Sequence, residues 1–285
     1  MTTYAVTGAT GGLGGAAVAA LIRRGVAASD IVAIVRDTTK AGSLAEAGVV
    51  VRTGDYEKPD TLTGALAGVD KLLFVSGSEV GRRTAQHTNV IEAAKAAGVG
   101  LVAYTSLLGA PTSPLMLAAE HRETEKLLTE SGLDVILLRN GWYSENYAGS
   151  APAAIDGGVF YGSAGTATVA PAARDDYADA AAVALIGSPA GAVYELVGSE
   201  HLTYDDIAAT FAEVSGKDVV YQDLPVADYA AALVGAGLPE VAAQVISDSD
   251  AGAADGALDS SSTDLADLRG TAGTPFAQVI GAALI

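Results

Sequence analysis

The stretch YAVTGATGGLG, Tyr4–Gly14, decides the fold. A short apolar run passes into a turn carrying four glycines and then into an Ala/Leu-rich segment, the pattern of a strand, a tight loop and a helix. Gly8 permits the tight turn, Gly11 lets backbone N–H groups approach a pyrophosphate, and Gly14 lets the helix pack close to the strand. The helix N-terminus then faces the anion. The spacing is G-x-x-G-x-x-G rather than G-x-G-x-x-G, so the reading rests on the strand and helix that flank the turn.

Outward from this turn the same grammar repeats. Strands are expected at Tyr4–Thr7, Ile31–Arg36, Val49–Arg52, Lys71–Ser76, Leu101–Ser106 and Asp134–Arg139, with helical stretches such as Thr84–Ala97 and Leu115–Ser131 between them. IVAIV and KLLFV are apolar almost throughout, as strands buried on both faces are. Alternation of strand and helix favours right-handed crossovers and an α/β, doubly wound parallel sheet of Rossmann-like type. After Asn140 the pattern changes to Gly- and Ala-rich loops, a strand at Ala192–Val197, a helix at Tyr204–Ser215 and a strand at Asp218–Gln222. We read a dinucleotide-binding domain over 1–140 and a smaller C-terminal α/β substrate lobe over 141–285. The boundary is soft, and chain exchange between lobes is allowed. The tail Ser247–Thr274 reads as loops.

Which dinucleotide binds depends on the end of the second strand, where an acidic side chain would hold the ribose 2′-hydroxyl of NAD. Arg36 stands there, and Lys40 follows four residues on. A guanidinium fork matches a 2′-phosphate, so NADPH is expected rather than NADH. Asp37 either serves the ribose or caps the next turn. Gly54–Tyr56 and Ser76, Gly77 and Ser78 end the third and fourth strands, at the sheet edge where such folds bind ligands.

Half of the 285 residues are hydrophobic and 18% are charged, which excludes a disordered polyelectrolyte. Zero cysteines exclude disulfides and thiolate metal sites, and three separated histidines give no zinc-site spacing, so no metal is expected. The net charge of −18 is uneven: residues 1–174 carry 14 Lys/Arg against 16 Asp/Glu, and residues 175–285 carry 2 against 18. That half repels phosphate backbones and anionic lipid, so neither nucleic acid nor membrane is an expected partner. No apolar run reaches the ~20 residues of a membrane-spanning helix, and Met1–Gly8 enters a strand without a basic leader, which points to a cytoplasmic protein. A homodimer is allowed by these features and not dictated by them.

Short-chain dehydrogenases commonly use Tyr-x-x-x-Lys, in which lysine lowers the tyrosine pKa. None of the eleven tyrosines has lysine four positions later; the corresponding stretch, LMLAAEHRETEK, carries Leu117 and His121 instead. Hydride transfer to a quinone needs less, because the product oxyanion is delocalised and solvent supplies a proton. His121 is either a donor near a carbonyl oxygen, a ribose ligand or a helix residue satisfied by Glu125. Tyr104, Thr105 and Ser106 offer hydroxyls. The loop Asn140–Tyr147 offers Trp142, Tyr143 and Tyr147 as flat faces and Asn140 and Asn146 as amide donors, a composition suited to an aromatic substrate. Phe160 and Tyr161 are candidates for another wall, and Asp175 for a helix N-cap.

TGATGGLG, IVAIVRD, KLLFVSGSEVG, NVIEAAKAAGV, AYTSLL, EHRETEKLL, LRNGWYSENY and SAPAA, followed by GVFYGSAG, ARDDYADAAA, VYELVG and SDSDAGAADGAL, resemble the NmrA-like atypical short-chain dehydrogenase/reductases. Within them they are most similar to the type 2 NAD(P)H:quinone oxidoreductases, and RNGWYSENY is the most specific piece. The resemblance covers essentially the whole chain and implies a flavin-free, NADPH-dependent reductase of quinones or quinone-like aromatics. It places Gly8, Ala9, Thr10, Gly11, Gly12 and Leu13 around the pyrophosphate, Arg36 at the 2′-phosphate and Ser76–Ser78 beside the adenosine half. It places Asn140, Gly141, Trp142, Tyr143, Ser144, Glu145 and Asn146 along the nicotinamide. His121, Asn140 and Tyr143 are the catalytic candidates. The alternatives are a non-catalytic NADP(H)-binding redox sensor of the NmrA-like type and a triphenylmethane-dye-type reductase, whose tyrosine-bearing loop is not matched by SEVGRR, Ser78–Arg83, of this chain.

Overall fold

The computed structural model describes residues 1–284. Six strands, β1 (Tyr4–Thr7), β2 (Ile31–Val35), β3 (Val50–Thr53), β4 (Lys71–Phe74), β5 (Leu101–Leu107) and β6 (Asp134–Asn140), stand in the order β3-β2-β1-β4-β5-β6, and Val193–Leu196 completes a seven-stranded sheet. β1 pairs in parallel with both β2 and β4, β2 with β3, and β4 with β5. The chain therefore winds outward from β1 in one direction and restarts beside it at β4. That reversal leaves a crevice at the carboxyl ends of β1 and β4.

Burial explains the central strands. All five residues of β2 are buried, and complete burial of an aliphatic side chain is worth about 1.5–3 kcal/mol. The expected strands Ile31–Arg36 and Lys71–Ser76 stop early, at Val35 and Phe74, which leaves Arg36 and Ser76 in the loops at the crevice. The glycine turn links β1 to helix α1 (Gly12–Arg23). Gly8 has a φ of 60°, which an L side chain resists, and a Cβ on Gly14 would lie 2.3 Å from the Gly8 carbonyl oxygen. The two positions hold turn and helix together through the absence of side chains.

The chain divides into two compact units that are discontinuous in sequence, Met1–Leu107 with Glu120–Arg139 and Arg174–Tyr194, and Leu108–Ala119 with Asn140–Ala173 and Glu195–Ile285. In the first, the helix Arg174–Gly187 packs along α1. Arg24 forks onto Asp179, with Nε–Oδ1 at 3.0 Å and Nη2–Oδ2 at 2.6 Å, and Lys71 Nζ donates to the last carbonyls of that helix at Leu185 and Ile186. The 108–119 and 174–194 segments each lie on the other side of the division from their immediate sequence context, so residue 140 is one of several crossing points.

The second unit has its own aromatic core. Phe160 stacks on Tyr204 at 5.8 Å, Tyr147 meets both rings edge-on, Phe211 meets Phe160 edge-on, and Phe276 meets Tyr147 edge-on. Thr203 and Asp206 form a capping box that starts the helix Tyr204–Ser215. The tail Ser247–Thr274 departs from the expected loops, because the helices Glu240–Ala254 and Asp264–Arg269 run through it; a further helix, Phe276–Ala283, follows. Helix Glu240–Ala254 buries Ala243, Ser247, Asp250 and Ala253 at helical spacing, but such small and polar residues give no apolar stripe in the sequence. No described helix is long and apolar enough to cross a membrane.

Candidate functional site

A cleft of about 380 Å³ occupies the crevice of the first unit. Gly8, Thr10, Gly11, Gly12 and Leu13 line its floor. Ala9 lies beneath, buried, with its N–H on the Ile34 carbonyl at 3.3 Å. At the end of β2, Arg36 and Lys40 reach the cleft. Asp37 has turned away: its carboxylate accepts from Thr39 N–H at 3.0 Å and the Thr39 hydroxyl at 2.6 Å, bonds that hold it below the usual carboxylate range. It caps the short turn that follows.

Two further walls come from the ends of β3 and β4. Tyr56 is half-buried, with its hydroxyl 2.6 Å from Thr7 Oγ1 and 2.7 Å from the Val75 carbonyl oxygen, so it ties the three loops into one surface. Burial raises its pKa beyond any physiological value. Ser76, Gly77 and Ser78 form the opposite side. Gly77 N–H donates to His87 Nε2 at 2.9 Å, and its carbonyl accepts from Arg83 Nε at 2.6 Å. A ring accepting at Nε2 carries its proton on Nδ1, which donates to Thr124 Oγ1 at 2.8 Å; Thr124 in turn donates to the Glu120 carbonyl. Ser76 N–H is fixed by Thr105 Oγ1 at 2.9 Å. Every backbone group in this chain of bonds has a named partner.

Glu79 also lines the cleft and was missed by sequence reasoning. Its carboxylate meets Arg36 Nη1 at 3.4 Å, Arg82 Nη1 at 3.2 Å and Gln86 Nε2 at 3.1 Å. An exposed pair of this kind is worth about 0–1 kcal/mol, far too little to keep Arg36 from a phosphate.

His121 is buried, with Nδ1 2.8 Å from the Tyr104 hydroxyl. Burial first, then the positive charge of Arg83, pushes its pKa down to about 3. Glu125 is not its partner. That carboxylate takes Arg139 in a fork at 2.9 and 2.7 Å and the Ser106 hydroxyl at 2.5 Å. Tyr104, Thr105 and Ser106 thus all point their hydroxyls at internal partners.

In the second unit, Asn140 Nδ2 lies 3.4 Å from the Tyr143 hydroxyl. Asn140 Oδ1 and Ser144 Oγ are buried with no hydrogen-bond partner among the described residues. Gly141 is buried on the Leu196 carbonyl, Trp142, Tyr143 and Glu145 are half-buried, and Asn146 is exposed. Tyr147 and Phe160 belong to the aromatic core rather than to a wall, while Tyr161 is 44% exposed. Asp175 lies in the first turn of its helix, not at the cap.

Residues 8–186 match the family model described as NAD(P)H-binding. The chain belongs to the NAD(P)H-binding family. It is 53% identical to quinone oxidoreductase 2 of Escherichia coli (strain K12) over 97% of this chain and 96% of that protein. A crystal structure of an E. coli NADPH-dependent quinone oxidoreductase with NADPH superposes with a TM-score of 0.96 at 51% identity, covering 99% of this chain and all of that one. A Citrobacter sp. triphenylmethane reductase with NADP(H) gives 0.93 at 37% identity, covering 99% and 100%. The family match begins at the glycine turn, takes in β2 to β6 and the residues that line the cleft, and ends within the helix Arg174–Gly187.

Proposed function

We propose that the protein is an NADPH-dependent oxidoreductase that reduces quinones or quinone-like aromatic acceptors. The near full-length, 53% identity to a quinone oxidoreductase carries this reading over a dye reductase, whose identity is 37%. The cleft fits the dinucleotide. In its glycine floor Gly8 takes a left-handed φ and Gly14 has no room for a side chain, and Gly11 starts α1 without a side-chain cap. Backbone N–H groups at that end are left for a pyrophosphate. Arg36 and Lys40 take the 2′-phosphate, and the turn Ser76–Ser78, held by His87 and Arg83, borders the adenosine half.

Reduced nicotinamide supplies the hydride. For that half we assign the loop Asn140–Asn146, where the unpaired Asn140 Oδ1 and Ser144 Oγ are the acceptor and hydroxyl that a carboxamide would satisfy. Asn140 and Tyr143 orient the reacting groups through an amide and a phenol. His121 contributes a neutral ring: with its pKa near 3 it holds no transferable charge at neutral pH, so the product's proton comes from solvent. The Arg174–Tyr194 and 1–107 segments belong to the dinucleotide-binding unit and the second unit serves the acceptor. The reading extends to a cytoplasmic protein with small-molecule partners only, in keeping with its charge of −18.

The test is oxidation of NADPH by purified protein with a benzoquinone series and no added flavin. Saturating, acceptor-dependent turnover is expected, and His121→Ala should lower it only a few-fold. Tight NADPH binding without acceptor-dependent oxidation would instead make the protein a redox sensor.

A further inference from the structure

Four side chains of the helix Ala118–Glu130 tie it to its neighbours in the first unit. Glu120 accepts from the backbone N–H groups of Gly81 and Arg83 at 3.1 and 3.0 Å, and Thr124 meets His87 at 2.8 Å, so these two hold the start of the helix Arg83–Ala97. His121 meets the Tyr104 hydroxyl in β5. Glu125 takes Arg139 of β6 and Ser106 of β5. Residues four apart lie on one line along a helix, so Glu120 and Thr124 serve the loop after β4, while His121 and Glu125 serve β5 and the end of β6.

Stability alone does not account for the Glu125–Arg139 pair. Their side chains are 9% and 15% exposed, and a buried ion pair offsets its desolvation so poorly that apolar residues of similar volume serve as well or better. What the fork fixes is direction. Two parallel bonds stop the guanidinium from turning, and the Ser106 hydroxyl shares Oε1 with Arg139 Nε. One carboxylate thus gathers two strands onto the helix. Arg139 is the residue before Asn140, and side chains alternate along a strand, so a fork on one face of β6 fixes the backbone from which Asn140 projects on the other. The Asn140 carbonyl is held as well, by Leu108 N–H at 2.9 Å. These bonds converge on a buried amide whose Oδ1 has no hydrogen-bond partner among the described residues.

We propose that Glu125 is a positioning residue for hydride transfer: by holding Arg139 and Ser106 it fixes the end of β6, and through it the Asn140 amide that orients the nicotinamide. This rests on the reading that the loop Asn140–Asn146 receives the nicotinamide. Glu125 acts through Arg139 and Asn140 and takes no part in the reaction itself. A displacement of about 1 Å at the reacting carbon costs up to about a hundredfold in rate, while the phosphate contacts that hold the dinucleotide stay as they are.

Turnover of NADPH with a benzoquinone tests it, with calorimetric titration to count folded sites and NADPH deuterated at both C4 positions to report the hydride step. Glu125→Gln keeps the shape and removes the charge, and Arg139→Lys keeps the charge and removes the fork. Each should lower kcat about tenfold or more, leave the Kd for NADPH within about twofold, and show an isotope effect on kcat at least as large as that of the wild type. Ser106→Ala, a milder change, should lower kcat a few-fold with the same signature. Glu125→Leu combined with Arg139→Met leaves no unpaired charge, so its Tm should stand above those of the single variants while its kcat stays low. A wild-type kcat per folded site in Glu125→Gln, a kcat that recovers together with Tm in the double variant, or a smaller isotope effect would overturn the assignment. Asn140→Ala separates it from the reading beneath it. If Asn140→Ala is slow while Glu125→Gln is normal, only Glu125 is wrong; if Asn140→Ala turns over normally, the loop does not orient the nicotinamide and the proposal falls with that reading.

Discussion

His87 and His121 are both neutral rings in a buried row with Tyr56, Phe74 and Tyr104, and each has its pKa pushed down to about 3, by burial first and by Arg83 second. In an unfolded chain each would bind a proton near the ordinary value of about 6.5. The unfolded state thus holds more protons than the folded one below that pH, and stability falls on acidification by about 1 kcal/mol per pH unit for each ring. Asp250 works the other way. Burial raises its carboxyl to about 6, against hydrogen bonds from Tyr204 and Ser163, so the folded state binds that proton first and gains stability as pH falls from 6 towards 4. Two rings outweigh one carboxyl. Thermal melts should show a lower Tm at pH 5 than at pH 7, with a smaller drop in His121→Gln; an equal drop in that variant would remove His121 from the account. At this scale the sequence showed the charges of Arg36 and Lys40 directly, since strand ends place them. It could not show that Tyr147 and Phe160 pack in a core, because aromatic residues look alike whether they line a pocket or fill one.

The decisive element is the loop after β4, whose shape is set by the helix Arg83–Ala97 beneath it. His87 accepts from Gly77 N–H, and Arg83 donates to Gly77 C=O from the helical turn before. A histidine on a helix gave no hint of this, because the bond depends on the rotation of that helix against a backbone group in a loop. His87→Phe should keep the ring and leave Gly77 N–H unpaired, raising the KM for NADPH about tenfold while kcat holds. His87→Gln, which restores an acceptor, should recover much of it. A fall in Tm with KM unchanged would show the contact to be structural only. The strands and α1 were legible because apolar runs and glycines report backbone demands locally. The helices of the acidic tail were not, since Ser247, Asp250 and Ala253 face inward without an apolar stripe.

Across the whole molecule, charge and connectivity carry the message. Of the 18 excess negative charges, residues 175–285 hold 16, and the cations of the cleft, Arg36 and Lys40, come from the nearly balanced remainder. An anionic cofactor is therefore drawn to a local cationic site on an acidic protein, and its binding should weaken with salt. The repeated crossing of the chain between units places Arg174 with the glycine turn far upstream of it, a relation that depends on the fold and has no local signature. Calorimetric titration of the folded wild-type protein with NADPH and with NADH tests the central claim most directly. The account predicts saturable heat with NADPH and markedly weaker binding of NADH; no heat with either nucleotide would contradict it.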